Sequence, residues 1–158
     1  MPKTKHKPAK KPTVVDNRRA HFDYTLSENL TAGLVLSGKQ VRAVRDNRVQ
    51  LKGAYVVVRN GELWLQNASF SLKNGGHDGE SVIDTSPIKL LVKKKQLQEL
   101  ASARTAGYTI VPTKLFAARR FVKVEIALGK GKKSYDKRET IKRRDSDREA
   151  RRAIKGAR

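Results

Sequence analysis

Cysteine is absent from the 158-residue sequence, which excludes disulfide bonds, thiolate catalysis and cysteine-ligated zinc. Long apolar runs are also absent, since no stretch of about 18 apolar residues could form a membrane-spanning helix. The Lys-rich N-terminus is followed by Pro12 and polar residues rather than by the apolar segment of a secretory signal peptide. These features predict a cytoplasmic protein with no membrane partner.

Groups that could carry catalysis are scarce. The three histidines are His6, His21 and His77, and only His77 is directly followed by a carboxylate, that of Asp78. No second pair of ligands has the spacing of a metal site. The stretch GKGKKS at 129–134 lacks the glycine, five positions before its second glycine, that a phosphate-binding loop requires. The sequence therefore predicts no enzyme, no metal and no cofactor.

Positive charge is what the sequence has in excess. The formal net charge is +21 at pH 7, and residues 129–158 hold 13 Lys or Arg against 5 Asp or Glu. Such a charge repels itself in the free protein, and the phosphates of a nucleic acid neutralise it while releasing counterions. The alternative partner, a membrane surface, requires a basic helix with a large apolar face or a lipid anchor. Neither pattern is present, so a nucleic acid is the favoured partner.

The distribution of charged and apolar residues divides the chain into three parts. Residues 1–16 are rich in Lys and Pro and predict a disordered basic arm. Nearly all large apolar residues lie in 17–128, which predicts one globular domain. Residues 129–158 have two large aliphatic residues, Ile141 and Ile154, and predict a basic tail that cannot contribute to a core.

The tail nevertheless has the spacing of a helix. Opposite charges three or four positions apart predict ion pairs worth ~0.2–0.5 kcal/mol each, namely Glu139–Arg143, Asp147–Arg151, Asp145–Arg148 and Glu149–Arg152. Because an isolated helix of this length is marginal in water, the tail is expected to be helical only when bound. Gly129 and Gly131 predict a flexible exit from the domain.

Local patterns in the middle part predict about six short strands. The clearest signal is a hairpin over 54–70, because Asn60-Gly61 is a dipeptide favoured by a type I′ turn between two strands. Further strands are predicted at 32–38, 88–92, 108–116 and 120–128. In the last of these, apolar and charged residues alternate as in a half-buried strand.

Helical spacing predicts one helix at 39–47 and another that includes Leu97 and Leu100 and stops at Gly107. The Gly-rich stretch 73–87 predicts a loop. Short antiparallel strands with two or three short helices predict a mainly β fold, specifically a small closed antiparallel OB-like barrel.

The distribution of aromatic residues bears on how a nucleic acid would be bound. Aromatic residues make up 6% of the chain and lie mostly in strand-like stretches, where packing in a core is favoured over base stacking. Cations, in contrast, are spread across the whole domain. This pattern predicts recognition of a folded RNA by its shape and phosphate geometry.

Six stretches of the sequence resemble a known family in order and spacing. They are NRRAHFDY (17–24), AGLVLSGKQVRAVR (32–45), NGELWLQNA (60–68), KLLVKKKQL (89–97), GYTIVPTKLF (107–116) and VKVEIALGKGKKSYDKRETIKRRD (122–145). Together they resemble the SmpB family of SsrA-binding proteins. The resemblance covers nearly the whole chain from Asn17 onward, and the stretch GKGKKSYDKRETIK carries most of its specificity.

The resemblance implies an OB-like barrel that binds the tRNA-like domain of transfer-messenger RNA (tmRNA). It also implies a role in trans-translation, in which tmRNA reaches ribosomes stalled without a usable codon. The implied partners are tmRNA, the small-subunit rRNA at the decoding centre and mRNA channel, and elongation factor Tu indirectly through alanyl-tmRNA. A monomer is expected, and the tail is expected to become helical in the empty mRNA channel.

The resemblance also implies two sets of contact residues. The tmRNA contacts are expected at Asn17, Arg18, Arg19, Gln40, Arg42, Leu91 and Lys93, although Leu91 is equally suited to a core position. The ribosome contacts of the tail are expected at Lys130, Lys132, Lys133, Tyr135, Lys137, Arg138 and Ile154. Tyr135, the one aromatic residue of the tail, is suited to stacking on a base of the decoding centre.

Two positions depart from the pattern of the family. Thr31 and Gln40 stand where the family usually has glutamate, so no carboxylate contact is carried over to them. Gln40 remains able to hydrogen-bond RNA edges or 2′-hydroxyls. The alternative function is that of a ribosome-associated RNA-binding or assembly protein without a tmRNA role, which composition alone does not distinguish.

Overall fold

Ten strands and four helices form the described part of the chain, which a computed structural model gives as residues 13–73, 81–117 and 120–156. The helices are α1 (Arg18–Asp23), α2 (Gly38–Arg45), α3 (Lys94–Thr105) and α4 (Ser134–Gly156). The strands are β1 (Val14–Asp16), β2 (Tyr24–Leu34), β3 (Val49–Gln50), β4 (Tyr55–Arg59), β5 (Glu62–Gln66), β6 (Ser69–Lys73), β7 (Ser81–Asp84), β8 (Ile88–Leu91), β9 (Thr109–Ala117) and β10 (Val122–Gly131).

The strands form two antiparallel sheets. Seven strands make one sheet in the order β1-β9-β10-β2-β8-β5-β4, and β3, β6 and β7 make a second. One further pairing, between Val56 of β4 and Ile110 of β9, joins the large sheet to itself, so that six strands form a ring. The predicted mainly β fold with a few short helices is confirmed. Four more strands are present than the six predicted: β1, β3 and β7 have only two to four residues each, and β6 begins within the stretch predicted as the hairpin.

The predicted hairpin is the connection between β4 and β5. Asn60 and Gly61 have φ angles of 52° and 69°, as a type I′ turn requires, and Arg59 pairs with Glu62 across it. Leu63 and Leu65 of β5 are buried, at 1% and 0% exposure. The turn therefore sets the register that directs these leucines into the core.

The buried core is formed by the strands of the ring together with residues of α2, α3, β1, β3 and β6, which are not part of the ring. Val122, Val124 and Ile126 of β10 are buried, while Lys123 between them is exposed, which confirms the predicted alternation. Phe70 of β6 is fully buried and belongs to the same cluster. Burying a large apolar side chain contributes roughly 1.5–3 kcal/mol, so these side chains dominate the stability of the domain.

Both helices predicted within the domain are present. The helix predicted at 39–47 is α2, and the helix predicted around Leu97 and Leu100 is α3, which follows β8 as expected. Gly107 has a φ of 91°, a conformation that favours glycine and ends α3. Helix α1, in contrast, was not predicted, since its six residues are too few to show a period.

The folded part of the chain begins earlier than predicted. Val14 pairs with Phe116 and Asp16 with Lys114, so β1 is a strand of the large sheet rather than the end of a disordered arm. The first strand, predicted at 32–38, corresponds to β2, which is longer than predicted and already begins at Tyr24. Residues 1–12 of the predicted arm lie outside the described residues.

The predicted loop at 73–87 contains a strand. Residues 81–84 form β7, which pairs with β6, whereas residues 74–80 lie outside the described residues. Ser81, Val82 and Ile83 are all exposed. Because an exposed edge strand has no apolar face to maintain, it lacks the alternation by which a strand is predicted.

The sheet also extends further toward the C-terminus than residue 128. Gly129 pairs with Leu26, and Gly131 pairs with Tyr24. A Cβ atom on Gly129 would lie 3.0 Å from the Cβ atom of Tyr24, so the backbone approaches too closely there for a side chain. Gly129 is therefore needed for close packing of two strands rather than for the flexible exit that we predicted.

The tail forms one long helix, α4, of 23 residues. In its first turn, Asp136 accepts a hydrogen bond from the backbone N–H of Lys133 (3.3 Å). No described residue of α4 is buried. The ion pairs predicted within the tail are not formed, because none of the four ion pairs among the described residues joins two tail side chains. That the tail is helical only when bound stays a prediction.

None of the helices in the described ranges is long and apolar enough to cross a membrane.

Candidate nucleic-acid interface

Asn17 positions helix α1 on the sheet. Its side-chain Oδ1 accepts a hydrogen bond from the backbone N–H of Ala20 (3.2 Å), and its Nδ2 donates to the carbonyl of Pro112 (2.8 Å). The backbone N–H of Asn17 donates to the carbonyl of Thr113 (2.7 Å). Asn17 is only 4% exposed, and it caps α1 and ties the helix to β9. That it contacts RNA stays a prediction.

We expect Asn17→Ala to destabilise the domain by about 2 kcal/mol, because it removes the cap and leaves buried polar groups unsatisfied. Thermal unfolding of the full chain measures this change. Arg18→Ala, at the exposed neighbouring position, is the control and is expected to alter stability by less than about 0.5 kcal/mol. Equal stability of the two variants would show that Asn17 does not hold α1 in place.

Arg18 and Arg19 are exposed on α1, and they line a cleft between the domain and the tail. The cleft has a volume of about 980 Å³ and also includes Lys52 of the turn before β4 and Arg144 of α4. The Arg19 guanidinium lies 5.5 Å from the centre of the Phe22 ring, which orients it by a cation–π contact. Four cations thus face one open space, an arrangement suited to phosphate groups.

Gln40 is held inside the domain at the start of α2. Its Oε1 accepts a hydrogen bond from the backbone N–H of Ser37 (2.9 Å), and the Ser37 hydroxyl accepts one from the N–H of Gln40 (3.3 Å). The Gln40 Nε2 donates to Asp84 Oδ2 (2.8 Å). Gln40 is 7% exposed, and its amide completes a capping box and joins α2 to β7. The RNA contact of Gln40 stays a prediction.

Asp84 is held as a carboxylate by its neighbours. Ser86 donates to Asp84 Oδ1 from its hydroxyl (2.6 Å) and from its backbone N–H (3.0 Å). These hydrogen bonds, together with that from Gln40, lower the pKa of Asp84 and outweigh the effect of burial. The ionised group fixes the end of β7 against α2.

Arg42, Leu91 and Lys93 form a second group of predicted contacts. Arg42 is exposed on α2, and Lys93 is exposed immediately before α3. Leu91 is 53% exposed, so it is not the core leucine that we considered. The backbone N–H of Val35, just before α2, donates to the carbonyl of Lys89 in β8 (3.1 Å). The segment leading to α2 and strand β8 are therefore neighbours.

Asp23 connects α1 to the tail. Its Oδ2 accepts a hydrogen bond from Arg19 Nε (2.6 Å), and its Oδ1 lies 3.1 Å from Lys137 Nζ. Burial raises the pKa of Asp23, but the contacts with Arg19 and Lys137 outweigh it and lower the pKa overall. Asp23 therefore carries a negative charge between two cations, one from each of the predicted contact sets.

The predicted tail contacts occupy different surroundings. Lys132 directly follows β10 and contacts the end of α1. Its backbone N–H donates to the carbonyl of Asp23 (2.9 Å), and its Nζ donates to the carbonyl of His21 (3.2 Å). The others are exposed or half-buried along β10, α4 and the short connection between them: Lys130, Lys133, Tyr135, Lys137, Arg138 and Ile154. Tyr135 is 61% exposed and Ile154 is 73% exposed, so both are available to a partner.

Three residues at this surface were missed by sequence reasoning. Lys52 and Arg144 complete the cleft at α1, and Asp23 holds the tail. Lys52 was counted only among the scattered cations of the domain, because its position beside α1 depends on the folding of distant strands. Asp23 carries no signal in the sequence beyond its spacing of four from Arg19, which predicts a helical ion pair.

The geometry defines a general class of protein. A mainly β domain presents cations on α1, on α2 and before α3, and a basic helix of 23 residues continues directly from its last strand. Exposed cations on rigid elements, with few exposed aromatic residues beside them, are typical of a domain that binds an anionic polymer by its backbone.

Comparison with known proteins identifies the family. The family model described as "SmpB protein" matches residues 14–156. The SsrA-binding protein of Cupriavidus pinatubonensis is 44% identical over 145 residues, covering 91% of this chain and 97% of that protein. The SsrA-binding protein of Ligilactobacillus salivarius is 41% identical over 146 residues, covering 90% and 92%. The chain therefore belongs to the SmpB family.

A solved structure shows the same fold. It is described as "tmRNA-SmpB: a journey to the center of the bacterial ribosome", and it matches 77% of this chain and 86% of its own chain with a TM-score of 0.63 and 33% identity. The predicted resemblance to the SmpB family is confirmed by these comparisons.

Proposed function

We propose that this protein binds the tRNA-like domain of tmRNA and delivers it to stalled ribosomes for trans-translation. The observation that carries the proposal is the family match over residues 14–156, which spans both the basic surface of the domain and the tail. Relatives of similar length are SsrA-binding proteins, and the matching solved structure concerns tmRNA and the ribosome.

The tmRNA surface is proposed to comprise the exposed members of the predicted set. These are Arg18, Arg19, Arg42, Leu91 and Lys93. Asn17 and Gln40 contribute indirectly, because their hydrogen bonds fix α1 and α2, which carry three of the cations. Arginine presents a planar group that pairs with two phosphate oxygens, so these helices act as rigid supports for phosphate contacts. The exposed Leu91 is suited to an apolar contact with a base or sugar.

The tail is proposed to occupy the mRNA channel of a ribosome that lacks a codon in the decoding site. A helix of 23 residues is about 35 Å long at 1.5 Å per residue. None of its described residues is buried, and its net charge is positive, so it is suited to a channel lined by rRNA phosphates. Because mRNA and the tail would compete for the same channel, the tail would enter only when mRNA is absent.

The proposal assigns no chemical step to the protein. Peptidyl transfer would be carried out by the ribosome, and elongation factor Tu would be engaged through alanyl-tmRNA rather than through a catalytic group of this chain. A monomer suffices, since one domain and one tail supply both contact sets. The alternative is a ribosome-associated RNA-binding or assembly protein without a tmRNA role, and selective binding of tmRNA distinguishes the two.

A chain ending at Lys133 is expected to bind tmRNA with an affinity within about threefold of the full chain, because the proposed tmRNA contacts all precede it. Its affinity should fall with salt by ~0.7–0.9 log units per log unit of salt for each phosphate neutralised. Filter binding over a range of salt concentrations, with total tRNA as competitor, measures both quantities.

The matched control for this truncation is a chain ending at Leu128. It removes the pairing of Gly129, Lys130 and Gly131 with β2, and we expect lower thermal stability together with weaker binding. If the chain ending at Lys133 is well folded but has lost tmRNA binding, the tail belongs to the tmRNA site and the proposed division of roles is wrong.

A further inference from the structure

The outer face of the large sheet carries a row of apolar side chains. The backbone pairs Val14 with Phe116, Phe116 with Lys123, Lys123 with Gly33 and Gly33 with Leu91, so these residues lie side by side across five strands. Each has a buried neighbour in its own strand, and successive side chains of a strand point to opposite faces. The row therefore lies on the face directed away from the core, where Val14 and Leu91 are 48% and 53% exposed.

Phe121 extends this row into a patch. It directly precedes β10, and continuing the pairing of Lys123 with Gly33 by two residues places Phe121 opposite Val35, which directly follows β2. Side chains two positions apart on an extended chain share a face, so both side chains lie beside the row. We call this group the outer patch, which comprises Val14, Val35, Leu91, Phe116 and Phe121.

The ring of Phe121 has no function in the core. It is 69% exposed, more than any other aromatic residue that the structure describes, whereas the next residue, Val122, is 7% exposed. Val35 opposite it is 53% exposed. A contiguous apolar patch that is left open to water and bordered by polar residues marks an interaction site. Phe121 is therefore an exception to the core packing expected for aromatic residues of strand-like stretches.

Cations border the outer patch. Lys123 is exposed within the row, and Arg120 is exposed directly before Phe121. Helix α2 ends close by, because the backbone N–H of Ala117 donates to the carbonyl of Thr13 (3.0 Å) and the Thr13 hydroxyl donates to the carbonyl of Arg45 (3.1 Å). An exposed aromatic ring among cations is suited to a base whose neighbouring phosphates carry negative charge. A second copy of this chain, with its net charge of +21, would be repelled.

We propose that Phe121 stacks on an unpaired base of the tRNA-like domain of tmRNA, with Val35 and Leu91 contacting the same or the next nucleotide. This inference rests on the proposed function and deepens it, since it adds a base contact to the proposed phosphate contacts. Leu91 belongs to the proposed tmRNA surface, so the outer patch is continuous with that surface. Loops of a folded RNA expose unpaired bases, and every base offers a face for stacking.

Replacing the ring tests the proposal. Phe121→Ala should lower the affinity for tmRNA roughly 5- to 150-fold, the range for loss of one stacked base. The dependence of affinity on salt should stay the same, because no phosphate contact is removed. Phe121→Trp should keep the affinity, whereas Phe121→Leu, which has no aromatic face, should lose nearly as much as Phe121→Ala. Filter binding over a range of salt concentrations measures all three variants, and thermal unfolding verifies that each is folded.

Tyr108→Ala is the matched control. Tyr108 is also exposed, at 40%, but it directly precedes β9 and so lies at the opposite end of that strand from Phe116. This variant should bind tmRNA as the unchanged chain does. Equal affinities of Phe121→Ala and Tyr108→Ala would overturn the proposal. Full affinity in Phe121→Leu would show that the side chain makes an apolar contact without stacking, which also contradicts it.

Fluorescence gives a direct sign of stacking. Trp64 is the one tryptophan of the chain, so Trp64→Phe combined with Phe121→Trp leaves a single tryptophan in the outer patch. Its emission should decrease when tmRNA is added, because a stacked base quenches the indole. Trp64→Phe combined with Tyr108→Trp is the control and should show no such decrease. Unchanged emission from the tryptophan at position 121, at saturating tmRNA, would rule out stacking there.

Two further outcomes separate this inference from its alternatives. Sedimentation of the unchanged chain should show a monomer, and a dimer that dissociates in Phe121→Ala would mean that the outer patch joins two copies, which overturns the proposal. Failure of the unchanged chain to prefer tmRNA over total tRNA would overturn both the proposed function and this inference. A chain that prefers tmRNA but does not need Phe121 for it would overturn this inference alone.

Discussion

Reversing the charge of Arg42 and Lys93 together, as Arg42→Glu with Lys93→Glu, is expected to lower the affinity for tmRNA by about 100-fold or more at physiological salt. Each replacement removes a proposed phosphate contact and adds a repelling carboxylate. Both side chains are exposed, and neither forms an ion pair among the described residues. The fold should therefore be retained. Filter binding measures the affinity, and thermal unfolding verifies that the variant is folded.

The control for this variant has the same change in charge at other exposed positions. Arg59→Glu with Arg104→Glu alters the β4–β5 turn and the end of α3, and neither residue belongs to the proposed surface. Its affinity should fall by less than about tenfold, through long-range repulsion alone, and its salt dependence should be unchanged. Equal losses in the two double variants would show that α2 and the start of α3 do not form the tmRNA surface.

The second large effect is expected in the tail. Arg143→Pro removes a backbone N–H from the interior of α4 and places the proline ring against the carbonyl of Glu139. The cost of ~3 kcal/mol corresponds to a roughly 100-fold drop in the population of continuous helix. No described residue of α4 is buried, so the domain should keep its stability and its affinity for tmRNA. Transfer of the stalled peptide to alanyl-tmRNA should be lost.

Arg143→Ala is the matched control, because it removes the same charge and keeps the helix. It should retain most of the transfer activity, since alanine is the best helix former and one cation of the tail is lost. Transfer at an unchanged rate by Arg143→Pro would mean that the tail does not act as a continuous helix. Similar losses in both variants would mean that the guanidinium group, rather than the helix, is what the ribosome requires.

The parts of the fold that were predicted correctly depend on neighbouring residues in the sequence. Asn60 and Gly61 select a turn by their own backbone preferences, and their φ angles of 52° and 69° match it. The alternation through Val124 and Ile126 reflects a strand with one face in the core. Each of these patterns involves only a few neighbouring residues, so the turn and the strand can be predicted from the sequence alone.

The parts that were not predicted depend on contacts between distant residues. Strand β1 exists because Val14 and Asp16 pair with β9, about 100 positions away, and nothing in three residues indicates that pairing. Strand β10 runs to Gly131 because Tyr24 lies opposite it. Gly129 and Gly131 were interpreted from the sequence as a flexible segment. The structure gives a different reason for Gly129, because the Tyr24 side chain packs against its backbone.

In the candidate site, too, the roles of polar residues depend on contacts between distant parts of the chain and were not predicted. Arg18, Arg19, Arg42 and Lys93 were assigned to an exposed surface, and all four are exposed. Asn17 and Gln40 were assigned to that surface too, but their amides are used inside the domain. An amide can satisfy a backbone group or an RNA base equally well, so its role follows from its partners, which only the folded chain defines.

The resemblance to the SmpB family indicated a particular RNA partner, which local sequence patterns did not. Composition and spacing indicated an anionic polymer and left open whether the partner was tmRNA or another RNA of the ribosome. The family match over residues 14–156 supports the proposed function over the alternative. The positions of Asp23, Lys52 and Arg144 then follow from the geometry of this chain rather than from the resemblance.

Selective capture of tmRNA by the purified full chain tests the central claim most directly. The chain is immobilised and mixed with total cellular RNA from a bacterium that encodes tmRNA, at physiological salt, and the bound RNA is sequenced and compared with the input. Arg42→Glu with Lys93→Glu serves as the matched control for charge-driven capture. The account predicts strong enrichment of tmRNA over tRNA and rRNA fragments, and loss of that enrichment in the control. Equal capture of all three RNA classes by the unchanged chain would contradict it.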